Sequence, residues 1–253
     1  MTPSLVPPLD ACEALDVDER EAVTQRVRAR LGRDWGGAGE RLGLFEGLRH
    51  WPSGLDFALV PGGRLTLGLD EPGLRRLAEA PWWDEDWDWS LRIEAAPAMT
   101  TVEVELPAFL LERRGGGDAG SRAEARGRAE ALGFRLPSEA ELEWIATDGG
   151  REVLHLGASP ENDHGGVAFR PSRFGLEGLL RAHWAADDWH PSHDGAHFDG
   201  RAREGGGAEG ACRFTFALEA FVGDEDLLAL VAALRYPGSP AMPAVGRFAL
   251  SLG

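Results

Sequence analysis

An α+β fold with little regular secondary structure and long loops is what this sequence predicts, on three observations. Segments with strand-like alternation are short, as in TTVEVELPAFLLE (100–112). Helical segments are short and sharply capped, as in GFRLPSEAELEWIA (133–146). Between them run stretches dense in Gly, His and Asp, and the tryptophans are scattered rather than gathered on one periodic face. Long loops inside a compact domain usually carry function.

The elements follow in order. Residues 1–15 are rich in proline and small residues, show no period, and read as an arm. DEREAVTQRVRARL (18–31) opens with an Asp-x-x-Glu cap and sets Val23, Val27 and Leu31 at fourfold spacing, which predicts an amphipathic helix. GRDWGGAGE breaks it, so residues 1–54 form an N-terminal arm and helix, and residues 55–253 the domain proper. FALVPGGRLTLG (57–68) reads as two short strands around a Pro-Gly-Gly turn. In 100–112, Val102, Val104 and Leu106 alternate with charged residues, as a half-buried strand requires. A Gly-rich loop at 115–120 precedes a polar helix from about Ser121 to Leu132.

The next helix is written with the most care. Ser138 is a good N-cap, and Glu141 three residues on completes a capping box. Glu139 and Glu141 put negative charge where the helix dipole favours it. Ala140, Trp144 and Ile145 form an apolar face, with Glu143 expected to stay in water. Gly-, His- and Asp-rich loops then run to about 210. CRFTFALEAF reads as a strand, DEDLLALVAALRY as a mostly buried helix or irregular segment, and VGRFALSL as a closing strand.

Composition narrows the function classes. Forty-two acidic residues face 26 basic ones, all arginine, for a net charge of −16. Such a surface repels phosphate backbones, and no basic patch offsets it, so nucleic acid is not an expected partner; small cations and amines are. No run approaches the roughly 18 apolar residues of a membrane helix, so no membrane partner is expected. The first residues have neither a basic n-region nor an apolar core, which predicts a cytoplasmic protein. Cys12 and Cys212 are too few for a disulfide framework and lack zinc spacing.

Two constellations could carry chemistry. DDWHPSHDGAHFDG (187–200) gathers Asp188, His190, His193, Asp194, His197 and Asp199, a nitrogen and carboxylate set suited to iron, zinc or nickel. The candidate metal ligands are His190, His193, His197 and Asp188. PWWDEDWDW (81–89) interleaves Trp82, Trp83, Trp87 and Trp89 with Asp84, Glu85, Asp86 and Asp88. Ring faces and carboxylates together suit a desolvated cation, so these four tryptophans and Asp86 are candidate ligand-binding residues. Nucleophile triads, phosphate loops and dinucleotide fingerprints are absent.

Five blocks stand in an informative order: VPGGRLTLG, VEVELPAFLLER, GFRLPSEAELEWIATDGG, SRFGLEGLLRAHWAADDWHPSHDG and ALRYPGSPAMPAVGRFALSL. Over residues 55–253 they resemble the blocks of the formylglycine-generating enzyme, or sulfatase-modifying factor, family, in which the capped helix is the most recognisable signature. The resemblance extends to the second domain of ergothioneine sulfoxide synthases and implies a C-type-lectin-like fold. It also implies that Trp184, Trp189 and Arg213 occupy ligand-binding positions, since each matches a family block.

The resemblance departs where the chemistry lies. Copper in that family is held by two cysteines spaced C-x4-C after an R-G-G-S-W block. Here Arg213 matches the arginine, Phe214 and Thr215 replace glycines, Cys212 matches neither ligand position, and no downstream pair follows. Ala182 and Ala185 stand where Asn and Glu are usual, side chains that help hold calcium in some members. The ergothioneine-type members take iron from a histidine motif on a separate helical domain, and no such domain is expected here.

The expectation is a divergent family domain without the two-cysteine copper site. It would act as a non-catalytic binding module, a pseudoenzyme, for a ligand, peptide or protein. No cofactor is expected unless a divalent metal such as iron, zinc or calcium binds. The alternative is a metal- and oxygen-dependent oxidoreductase using the 188–199 loop.

Overall fold

The computed structural model describes residues 4–39, 41, 43–79, 99–115, 120–153, 171–179, 181–206 and 244–252. It adds the backbone of four short strands at 159–160, 167–168, 212–214 and 235–237. Trp82, Trp83, Asp86, Trp87 and Trp89, and most of DEDLLALVAALRY, lie outside the described residues.

The chain begins with helix α1 (Leu9–Ala14) where an arm was expected. Leu9 and Cys12 are buried, and the Leu9 N–H donates to Gly62 O, so tertiary contact rather than period creates this turn and a half. Helix α2 (Val17–Leu31) holds the predicted amphipathic segment and buries Val23 and Val27. Its capping box is Asp16 with Glu19, two residues before the predicted cap. Gly32, at φ 92°, ends it.

Strands β1 (Trp35–Gly37), β2 (Leu48–His50) and β3 (Leu55–Val60) follow as an antiparallel meander. Strand β4 (Gly63–Leu67) leaves the Pro-Gly-Gly turn, but β3 and β4 do not pair with each other. At Gly62 a Cβ would sit 1.9 Å from Leu106 O, so glycine is what lets the turn press against the neighbouring chain. Helix α3 (Glu71–Ala78) is capped by Asp70.

The predicted strand at 100–112 is divided at Pro107 into β5 (Val102–Leu106) and β6 (Phe109–Glu112). Strand β5 pairs with β4, whereas β6 joins β3 and the closing strand β12 (Ala249–Ser251). The main sheet is therefore β1-β2-β3-β6-β12. Along β3, Ala58 and Val60 enter one apolar cluster while Phe57 and Leu59 enter another, and in β6 Phe109 and Leu111 part from Leu110 in the same way. Both sheet faces are covered, one by α2 and an aromatic group around Trp35, Phe57 and Phe134, the other by the β4–β5 pair and the capped helix. Residues 1–54 contribute to both clusters and to two strands of this sheet.

Helix α4 (Arg122–Ala131) starts at a Ser121–Glu124 capping box. Helix α5 (Glu139–Ala146) is the sharply capped helix read from the sequence, and its Ser138–Glu141 box is formed as predicted. The environment of Glu143 is not: all eight α5 residues are buried, and Glu143 is 1% exposed. Arg135 clamps both Glu141 oxygens at 2.6 and 2.7 Å. Because Ser138 is itself buried, water cannot replace its hydroxyl. Ser138→Ala is expected to lower stability by about 1–2 kcal/mol in urea melts.

Short antiparallel ladders complete the chain. Strands β7 (Ser159–Pro160) and β8 (Val167–Ala168) pair, and β10 (Cys212–Phe214) lies between β9 (His183–Trp184) and β11 (Arg235–Pro237). No described helix is long and apolar enough to cross a membrane.

Candidate functional site

The loop leaving β9 returns against the start of α5 and closes a small crevice there. Asp187 is turned inward by two backbone donors: Glu139 N–H at 2.6 Å from Oδ2 and Arg203 N–H at 2.8 Å from Oδ1. Glu139 is the first residue of α5, where the dipole favours a carboxylate. Each of these two residues is 5% exposed. His193, 1% exposed, brings Nδ1 to 3.9 Å from Glu139 Oε1. His190 and His197 line the same crevice, with Leu67 and Ala140 as its apolar wall.

Two acids buried side by side cannot both ionise cheaply. Burial first, and the Glu139 charge second, push the Asp187 carboxyl up to about 7, against the backbone N–H groups that favour its charge. The crevice volume is about 10 Å³, the space one water-sized body occupies. It can hold a water, a small ion or the tip of an amine, and it has no room for a peptide backbone.

The predicted site residues divide accordingly. His190, His193 and His197 are brought together. Asp188 is drawn away: its carboxylate accepts Arg122 Nη1 at 2.9 Å and Gly205 N–H at 2.7 Å. Burial opposes its charge, but those donors hold the carboxyl below its ordinary value. Trp184 is a core residue, packed with Ala125, Leu136 and Ala244. Arg213 lies opposite it in the β9–β10 register, and Trp189 is half-buried beside Asp188. Among the described residues no group of three or more His, Cys, Asp or Glu stands as metal ligands would.

The copper pair that the family resemblance implies does not fit these residues. Cys12 lies enclosed in the cluster around Val23 and Val27, and its Sγ donates to Pro7 O at 3.1 Å. Burial pushes its thiol up to about 11, so it is no thiolate at neutral pH.

Sequence reading missed Glu139 and Asp187. Glu139 reads as an ordinary dipole partner in a first turn, and Asp187 as the lesser half of an Asp-Asp doublet. A signal was present nonetheless, because Leu142 and Ala146 put apolar residues on a side of α5 away from Ala140, Trp144 and Ile145. A helix apolar all round is buried, with its glutamates.

No family model and no curated protein matches the chain. Among solved structures it is similar to PvdO from Pseudomonas aeruginosa, with a TM-score of 0.58 and 14% identity, over 84% of this chain and 100% of that one. At that identity the likeness concerns fold alone, and the fold is mixed α+β of the formylglycine-generating-enzyme type, with little regular structure.

Proposed function

We propose that this chain is a divergent member of the formylglycine-generating enzyme family that works as a binding module. Its crevice at Glu139 and Asp187 seats the cationic tip of a ligand, an ammonium group above all. The observation that carries this reading is the buried carboxylate pair, held by backbone donors and facing a space the size of one water. An ammonium entering that space would take the place of the proton the pair holds, and its three donors suit carboxylate and imidazole acceptors. The high-pKa thiol of Cys12 supports a reading without thiolate copper chemistry.

The second reading, a metal- and oxygen-dependent oxidoreductase, has the shared position of His190, His193 and His197 in its favour. Elemental analysis of protein purified without chelator separates the two. The binding-module reading expects well under one redox metal per chain. It also expects a saturable rise in melting temperature with methylammonium chloride over a sodium chloride control, lost in Glu139→Gln. One iron or copper per chain, or no methylammonium effect on the intact protein, overturns it.

A further inference from the structure

The crevice is closed. Glu139, Asp187 and His193 are buried, and the space beside them is about 10 Å³, so nothing larger than a water reaches the two acids unless part of the wall moves. Of the lining residues, Leu67, Glu139 and Ala140 come from the body of the domain, and every other one belongs to the loop 187–203.

That loop is built as a hinged piece. Its ends meet: Asp188 N–H donates to Arg203 O, and Arg203 N–H to Asp187 Oδ1, both at 2.8 Å, which closes residues 188–203 into an Ω-loop. The neck is anchored, because Arg122 donates to Ala185 O at 2.9 Å, to Ala186 O and to Asp188, and Asp188 also accepts the Gly205 N–H. The loop is braced from within. Ala196 N–H donates to His193 O and Gly200 N–H to His197 O, both at 2.9 Å, and Arg203 Nη1 donates to Ser192 O at 3.2 Å. Outward, among the described residues, one backbone hydrogen bond ties 189–202 to another element: Glu105 N–H of β5 donates to Phe198 O at 2.6 Å. Phe198 is 73% exposed, so the tip is held by its backbone and not by its ring. The loop seats Ala196 and Gly200 on the apolar wall, two residues with little surface to bury. At Gly200, φ 68°, a Cβ would lie 2.1 Å from Leu106 Cδ2 and 3.4 Å from Ala140 Cβ, so glycine lets the loop press down on β5 and α5.

We infer that residues 189–202 are a lid. They swing as one piece on the neck at Asp187, Asp188 and Arg203, release the latch at Glu105, and open the crevice to its ligand. A unit braced internally and tied outward by one backbone bond opens at lower cost than the core beneath it. That the lid gates an ammonium ligand rests on the proposed function; that it opens does not.

The test is carbethoxylation of histidines in the full chain by diethyl pyrocarbonate, located by tandem mass spectrometry. His193 in the lid and His183 in β9 are each 1% exposed, so without motion they are equally protected. With each rate taken relative to the same site in the urea-unfolded chain, His193 is expected to react about tenfold faster than His183 or more. Glu105→Pro removes the latch donor and should speed His193 about threefold or more while His183 stays unchanged. Phe198→Ala keeps the latch and should alter neither rate. If Glu105→Pro disturbs the whole fold, a faster His183 reports it, and Gly200→Ala, which wedges the lid away from Leu106, takes its place. Equal rates at His193 and His183, or a latch or wedge variant that folds and leaves the His193 rate unchanged, overturn the lid. Methylammonium separates this from the ammonium reading: slower reaction at His193 places the cation beneath the lid, and an unaffected rate with a lid that opens removes the ammonium ligand and keeps the lid.

Discussion

Arg247→Ala is expected to cost about 4 kcal/mol or more, enough to leave the domain largely unfolded at moderate denaturant concentrations. Arg247 is fully buried and is the hinge of the closing block. Its Nη1 donates to the carbonyls of Glu112 and of Arg113, the latter at 2.9 Å, and its Nη2 donates to Glu177 O at 2.6 Å. One side chain thus joins β6, the 175–178 loop and the approach to β12. Burial lowers its pKa to about 10, against the nearby charges of Glu112 and Glu177, so it stays charged throughout the neutral range.

Alanine would remove a donor from three carbonyls; Arg113 O keeps the Glu177 N–H at 2.8 Å, and a carbonyl left dry and unpaired costs about 1–3 kcal/mol. It would also open a large cavity and leave Glu112, 3% exposed and already raised in pKa chiefly by burial, without its neighbouring positive charge. Guanidinium chloride melts followed by circular dichroism check this. Arg247→Lys should recover only part of the loss, because an ammonium cannot span three carbonyls as a planar fork does. A loss under about 1 kcal/mol for the alanine variant would mean that these carbonyls find other partners.

What could be read from sequence was local. The Ser138–Glu141 box needs only four residues, and it formed as written. The alternation of Val102, Val104 and Leu106 likewise marked a true strand, buried at Val104 and Leu106. Features decided by distant contact were not readable. Nothing near Leu9 announces a helix, since what orders it is Gly62 some fifty residues away. Strands β3 and β4 flank one turn yet join different sheets, because β6 and β5 compete for them across Pro107.

The candidate site shows the same division. The histidine loop was visible as a cluster of letters, and His190, His193 and His197 line one crevice. The carboxylates beside them come from α5 and from Asp187, which the sequence reading passed over in favour of its neighbour Asp188. Asp188 looked the better ligand of its doublet until Arg122 and the Gly205 N–H claimed it. Which of two adjacent aspartates turns inward depends on backbone donors at residues 139 and 203, which no local pattern encodes.

Stability should fall as pH rises from about 4 to about 7, and the Glu139–Asp187 pair is the cause. In the unfolded chain Asp187 loses its proton near the ordinary value of 3.8, whereas in the fold it keeps that proton to about 7. Its contribution is therefore complete below the unfolded value, declines through the window between, and is gone above the folded value. A gap of about three units corresponds to about 4 kcal/mol as an upper figure.

Other carboxyls work against this trend. Glu13 is held low chiefly by Arg151, and Asp199 by Arg201 against its own burial, and both lose their stabilisation only in more acidic solution. The net curve should peak on the acid side of neutrality, with a melting temperature several degrees higher at about pH 5 than at about pH 7.5. Glu139→Gln removes the like charge while keeping the backbone donor to Asp187. Burial, the larger cause, remains, so the variant's slope should shrink rather than vanish. A wild-type melting temperature that is flat or rising between those two pH values would show that the pair is not sharing a proton. Methylammonium should raise the melting temperature most at the alkaline end, where the proton it replaces has already gone.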